Sequence, residues 1–247
     1  MSESIRMWTE ISFNIVYLIV VYALVIAMIR HQQNVSPENK PLARLFIGAF
    51  ALLALGDTGH VGFRVWAYAL GDLESTVNIG SWELGLVGAG ALATAVTVTF
   101  FYMIVLVIWQ KRFEKPYGWF GWLLFAAAIV RLIIMTFPAN EWNSTVPPQP
   151  WGIVRNAPLI LQGLGAAYLI LRDSFAAKDR TFIWVGIMII VSYTFYMPVI
   201  LFVQQVPMLG MLMIPKTLAY VAIATIAYRQ LFLGASFTQS DASIQTV

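Results

Sequence analysis

Apolar residues run along this chain in long, nearly unbroken stretches separated by short polar segments. Seven stretches stand out, at residues 11–29, 45–70, 79–109, 119–137, 157–171, 182–203 and 208–228. A helix needs about 20 apolar residues to cross a hydrocarbon core about 30 Å thick, and all seven come close, the fifth being the shortest. The pattern therefore predicts an all-α, polytopic membrane protein with seven transmembrane helices. One domain covers residues 1–235, and the small polar residues of 236–247 are expected to form a disordered tail. Gly56, Gly59, Gly62, Pro198 and Pro215 fall inside the stretches, where neighbouring bilayer helices can satisfy the freed backbone groups. The first stretch follows Glu3 and Glu10 without a small-residue cleavage site, so it reads as a retained span rather than a signal peptide.

Charge placement sets the expected orientation. One alternating set of loops carries Arg30, Lys40, Arg44, Lys111, Arg112, Lys115, Arg172, Lys178, Arg180 and Arg229, whereas the other carries only Arg6 and Arg155. By the positive-inside rule the rich set is cytoplasmic, the N-terminus lies outside and the C-terminus inside. The connection at 138–155, with Trp142, Trp151 and several prolines, is expected to be a semi-rigid outer cap. Localisation follows as multi-pass in the cell membrane, the inner membrane for a bacterial chain.

Composition agrees and removes whole classes of chemistry. Hydrophobic residues make up 60% of the chain and charged residues 11%, against about 25% charged in an ordinary soluble domain. The net charge of +3 resides in loops between spans, so it reports topology and argues for no nucleic-acid partner. With no cysteine there is no disulfide framework and no thiol nucleophile. Only His31 and His60 could offer imidazole, and His31 falls in a loop, so no metal site is expected. The string GLVGAG ending at Gly90 lacks the context of a nucleotide loop and reads as small-residue helix packing.

What remains is a small set of ionisable residues within the spans, each costly unless it faces the bundle interior. Asp57, His60 and Arg64 occur in GDTGHVGFR at spacings that put them on one helical face. Glu83 opens the third span, Arg131 lies in the fourth, and Lys216 lies in the seventh within MLMIPKTLAY. At about 1.5 Å per residue, all six fall between the midplane and the outer surface. The inner half offers hydroxyls only, chiefly Thr94, Thr97, Thr99 and Tyr102. A pocket open to one side is expected, with Asp57, His60, Arg64, Arg131 and Lys216 as its polar core. Glu83, Tyr193, Tyr196 and Arg155 are supporting residues. Structural readings stand beside this one: Arg64 as a snorkelling cation, Tyr193 and Tyr196 as packing, and Asp57 paired with Arg131 or Lys216 to fix helix register.

GDTGHVGFR, FPANEW, WGIVRNAP and PMLGMLMIPKTLAY resemble strings of a bacterial family of seven-pass membrane proteins, a likeness that implies the span count and no activity. The layout is also similar to that of microbial rhodopsins, with a lysine in the last helix and aromatic residues before a proline in the sixth. That resemblance implies retinal as a Schiff base on Lys216, with Glu83 or Asp57 as counterion. This chain departs from it in the Pro215 before Lys216 and in a third span without a central carboxylate. The leading functional expectation is a receptor-like or small-molecule-binding membrane protein whose partner, besides the lipid bilayer, is a small anionic molecule or a lipid headgroup. Secondary transport is one alternative. Another is an intramembrane enzyme acting on an anionic substrate, with no catalytic residue assigned.

Overall fold

The computed structural model describes residues 3–145 and 148–233; the tail expected at 236–247 lies outside them. Seven long helices make up nearly all of it: α1 (Glu3–Arg30), α2 (Lys40–Leu70), α3 (Leu86–Phe113), α4 (Gly118–Met135), α5 (Trp151–Ala176), α6 (Arg180–Phe202) and α7 (Met213–Ala227). A wide-wound turn, Tyr228–Leu233, continues α7, and a tight turn, Pro207–Leu212, precedes it. All seven helices, α7 together with its two flanking turns, are long and apolar enough to cross a membrane.

Each helix packs on its sequence neighbour, and α1 meets α7, so the seven close into a ring with α3 also reaching α5. Short connections force this antiparallel order. Between α3 and α4 the chain turns at Glu114, whose φ of 51° is left-handed and ends the helix. Between α5 and α6 it turns at Lys178, and Asp179 then caps α6 by accepting from the Phe182 N–H at 3.2 Å.

Small residues let α2 and α3 approach closely. A Cβ on Gly56 would overlap the Thr97 side chain, and one on Gly90 would sit 2.9 Å from the Cα of His60. Apolar side chains also point outward: Val16, Ile19, Leu55, Ile129 and Ile133 are each more than half exposed. A surface of that kind suits hydrocarbon rather than water.

The structure changes the expected start of the third span. Residues 76–85 form an antiparallel hairpin, β1 (Thr76–Ile79) and β2 (Trp82–Gly85), with Thr76 opposite Gly85 and Gly80 at positive φ in the turn. The spanning helix therefore begins at Leu86, not residue 79. Seven residues are about 10 Å of helix rise, so everything on α3 lies that much nearer the hairpin end than its sequence position suggested. The fifth helix likewise starts earlier than residue 157, at Trp151, and carries Pro158 in its interior.

The hairpin docks on the loop after α4. Asn143 accepts from the Gly85 N–H and donates to the Glu83 carbonyl, both at 3.0 Å, while Trp142 donates to the Met135 carbonyl at 2.9 Å. Arg155 lays its guanidinium 4.4 Å from the Trp142 ring. Asn143→Ala is expected to cost about 1–2 kcal/mol, felt locally because only the hairpin depends on it. Faster amide exchange over residues 76–85 with an unchanged bundle melting temperature is the expected readout.

Toward the end opposite the hairpin, the basic end, the bundle interior holds an apolar layer. Phe46, Phe50, Phe101, Val105, Ile189 and Ile223 are among the residues surrounding a void of about 10 Å³. A space of that size with no polar lining stays dry.

Candidate functional site

The polar groups of the spans collect in one layer toward the hairpin end. Asp57, midway along α2, accepts from the Tyr17 hydroxyl of α1 at 2.7 Å. Thr94 of α3 approaches its second oxygen at 3.5 Å, a marginal bond, since the same hydroxyl donates better to the Gly56 carbonyl at 3.0 Å. Among the described residues no cation lies within 4.0 Å of Asp57. One turn on, His60 is enclosed where α2 and α3 meet, and its Nδ1 has no hydrogen-bond partner there. No hydrogen bond joins it to Asp57, so the two are not assembled as an acid–base pair. Arg64, a further turn along, faces Glu10 of α1 at 3.6 Å, with both side chains partly exposed.

Lys216 enters from α7. Its ammonium lies 4.4 Å from the centroid of the Tyr196 ring and 5.8 Å from that of Tyr220, a cation held by two aromatic faces. α2 and α7 touch, and the polar region that Lys216, Asp57 and His60 border between those helices is termed the chamber, although Lys216 makes no direct contact with Asp57 or His60 among the described residues. Among the described residues it forms no ion pair within 4.0 Å and donates no hydrogen bond, leaving three N–H groups unspent. Beneath it, the Tyr220 and Tyr102 hydroxyls meet at 2.8 Å and floor the chamber.

Arg131 occupies a separate position against α3 and α5. It is 2% exposed, and its guanidinium is held by neutral acceptors: the Arg155 carbonyl at 3.0 Å, the Ala95 carbonyl at 2.9 Å, Thr99 Oγ1 at 2.5 Å and Asn156 Oδ1 at 3.3 Å. Asn156 also accepts from Tyr196 at 3.4 Å, so one tyrosine links the Arg131 network to the Lys216 chamber. Gln162, fully buried, donates to the Thr99 carbonyl at 3.4 Å and leaves its own Oε1 without a partner among the described residues.

The supporting residues divide. Tyr196 borders the chamber, whereas Tyr193 is buried and donates to the Leu159 carbonyl at 2.9 Å, a packing position. Arg155 contributes its carbonyl to Arg131 and its side chain to Trp142 of the loop. Glu83 sits on β2 rather than in a spanning helix, exposed and accepting from Thr76 at 2.9 Å. Its distance along the chain from α3 follows from the hairpin that occupies the expected first turns.

Sequence reasoning missed Tyr17, Tyr220, Asn156 and Gln162, and it set Thr94 and Thr97 too deep, since α3 runs from Leu86 to Phe113 and leaves both nearer the hairpin end, with Thr99 at its middle and Tyr102 just past it. It also missed Asp173, a nearly buried carboxylate near the basic end of α5 that accepts from Trp109 at 2.8 Å and from Arg172. The hydroxyls had a legible signal, the Gly80–Ser81 turn that ends the preceding strand; the tyrosines and amides had none.

Chemically, the chamber offers an unspent ammonium, a carboxylate held by a phenol, an unpartnered imidazole nitrogen and aromatic walls. It can bind a polar molecule without providing a nucleophile and base in contact. An all-α ring of seven membrane-length helices with one polar layer is the class that fold and site define. No family model matches the chain, and no curated protein or solved structure matches it.

Proposed function

We propose that the protein is a multi-pass membrane protein of the receptor-like, small-molecule-binding kind, with its pocket opening toward the hairpin end. The hairpin end faces outward and the basic end the cytoplasm, a reading supported by the crowding of lysine and arginine at one end. The observation that carries the functional reading is Lys216, an ammonium inside the bundle with aromatic faces but, among the described residues, no acceptor. An ionisable group in a span is a functional site by default, and this one is left for something that arrives. The ligand is small and carries an anionic group for Lys216. Binding is favoured over transport by the packing below, where the Tyr102–Tyr220 pair and the phenylalanines beyond it close the basic half. A transport cycle would have to part that dry layer.

Orientation is checked by fusion. A reporter active only in the cytoplasm is expected to work after Leu233 and to fail when inserted at Ser144; the reverse outcome turns the molecule over. Function is checked by mass spectrometry of small molecules released from purified protein. The parent is expected to carry an anionic metabolite that Lys216→Gln has lost and Lys216→Arg retains in part, since guanidinium keeps the charge. Identical profiles for parent and Lys216→Gln would refute the assignment of the pocket.

A further inference from the structure

A second polar feature lies at the basic end, far from the Lys216 chamber. Arg112 and Phe113, ending α3, and Ala177, Lys178, Asp179 and Arg180, joining α5 to α6, line a cleft of about 530 Å³. Its charges are unevenly spent. Asp179 is fully committed: one oxygen caps α6 and the other accepts from Arg112 Nε at 2.7 Å. Arg112 also stacks on Phe182, at 5.5 Å, which fixes the guanidinium at the cleft wall while its two terminal amino groups donate to no described residue. Lys178 and Arg180 are exposed and form no ion pair among the described residues. With Asp179 cancelled by Arg112, two positive charges face the cleft without a counterion. Lys111, Glu114 and Lys115 adjoin the lining residues of α3 and leave the surroundings net positive, and the nearby Asp173 is already engaged by Arg172 and Trp109.

Depth identifies the occupant. Phe175, just before the cleft on α5, and Trp184, one turn after it on α6, are 60% and 55% exposed. Outward tryptophan marks the headgroup level of a bilayer, so Trp184 puts the cleft where lipid phosphates lie, with Phe175 as an apolar neighbour for the acyl side. Basic pockets between helices at this level suit anionic headgroups. We propose that this cleft binds the phosphate of an anionic phospholipid, held between Lys178, Arg180 and the terminal amino groups of Arg112. A zwitterionic headgroup offers the same phosphate but adds a cation that the basic rim repels. The site stands independently of the ligand pocket at the hairpin end.

Native mass spectrometry of the purified full chain in detergent, titrated with phosphatidylglycerol or phosphatidylcholine of the same acyl chains, tests this. The parent is expected to prefer phosphatidylglycerol. Lys178→Gln with Arg180→Gln should weaken phosphatidylglycerol binding about thirtyfold, the loss of two interfacial basic residues. Lys40→Gln with Arg44→Gln, which removes the same charge from the same end outside the cleft, should leave it nearly unchanged. Equal losses in the two double variants, or equal binding of the two lipids by the parent, would overturn the proposal. Inorganic phosphate in excess is expected not to displace the lipid; displacement would assign the cleft to free phosphate and overturn the lipid assignment.

Discussion

Gly163→Ala is expected to destabilise the bundle by about 3 kcal/mol, near the upper end of ordinary overpacking. A Cβ on Gly163 would fall 2.0 Å from the Tyr193 hydroxyl oxygen and 2.1 Å from its ring carbon Cζ. Tyr193 cannot yield cheaply: it is buried, bonded to the Leu159 carbonyl and packed against Tyr102 and Tyr196. Turning it aside gives up that hydrogen bond, about 1 kcal/mol, in addition to the packing. The measurement is a double-mutant cycle of denaturation in detergent with Tyr193→Leu. The leucine variant alone should also lose stability, by cavity formation, yet the double variant should lose far less than the sum, because the alanine methyl enters vacated space. Additive losses would mean that Tyr193 does not lie over Gly163.

How much of this was legible follows from where each kind of information resides. The seven helices were legible because membrane-length hydropathy is a local property. The start of α3 was not, since TVNIGSWELG is apolar enough to prolong the hydropathy of the helix after it while its β-branched residues and Gly-Ser turn form a hairpin. That one boundary displaced Thr94, Thr97, Thr99 and Tyr102 by about 10 Å in the expected layout, so that Thr94 and Thr97 belong to the hairpin half while Tyr102 stays just inside the basic half. Asp57, His60, Arg131 and Lys216 were legible as anomalies, ionisable residues amid apolar runs. Their partners were not, because those come from the ring closure: Tyr17 meets Asp57 across 40 positions, and Tyr102 meets Tyr220 across 118. An unmarked tyrosine in an aromatic-rich chain gives no sign that it will reach a particular carboxylate.

The ring closure also gives the polar layer its two unequal parts. On the α1, α2 and α7 side the charges are separated and incompletely satisfied among the described residues, which is the basis of the proposed binding role. On the α3, α4 and α5 side Arg131 is tightly satisfied by neutral groups, as a structural clamp requires. Tyr196 touches both, through the Lys216 ammonium on its ring and Asn156 at its hydroxyl. A ligand that draws Lys216 off that ring would thereby reach the clamp.

Arg131→Lys is expected to be more damaging than Arg131→Gln, the reverse of ordinary chemical similarity. The guanidinium reaches acceptors on two helices, Ala95 and Thr99 of α3 and Arg155 and Asn156 of α5, by virtue of its fork. An ammonium is a point charge that cannot span them, so lysine keeps a buried charge in need of solvation while losing the groups that supply it. The cost should approach that of a broken buried ion pair, about 3–5 kcal/mol. Glutamine removes the charge and with it the desolvation penalty. The acceptors it abandons are mainly helix carbonyls that already take part in backbone ladders, so its loss should be nearer 2 kcal/mol, that of two or so ordinary hydrogen bonds. Chemical denaturation of the two variants beside the parent, in one detergent, orders them. If lysine instead proves the milder change, positive charge itself is what the site requires. Arg131 then belongs with Lys216 in holding an anion, and the division of the layer into a binding half and a clamping half falls.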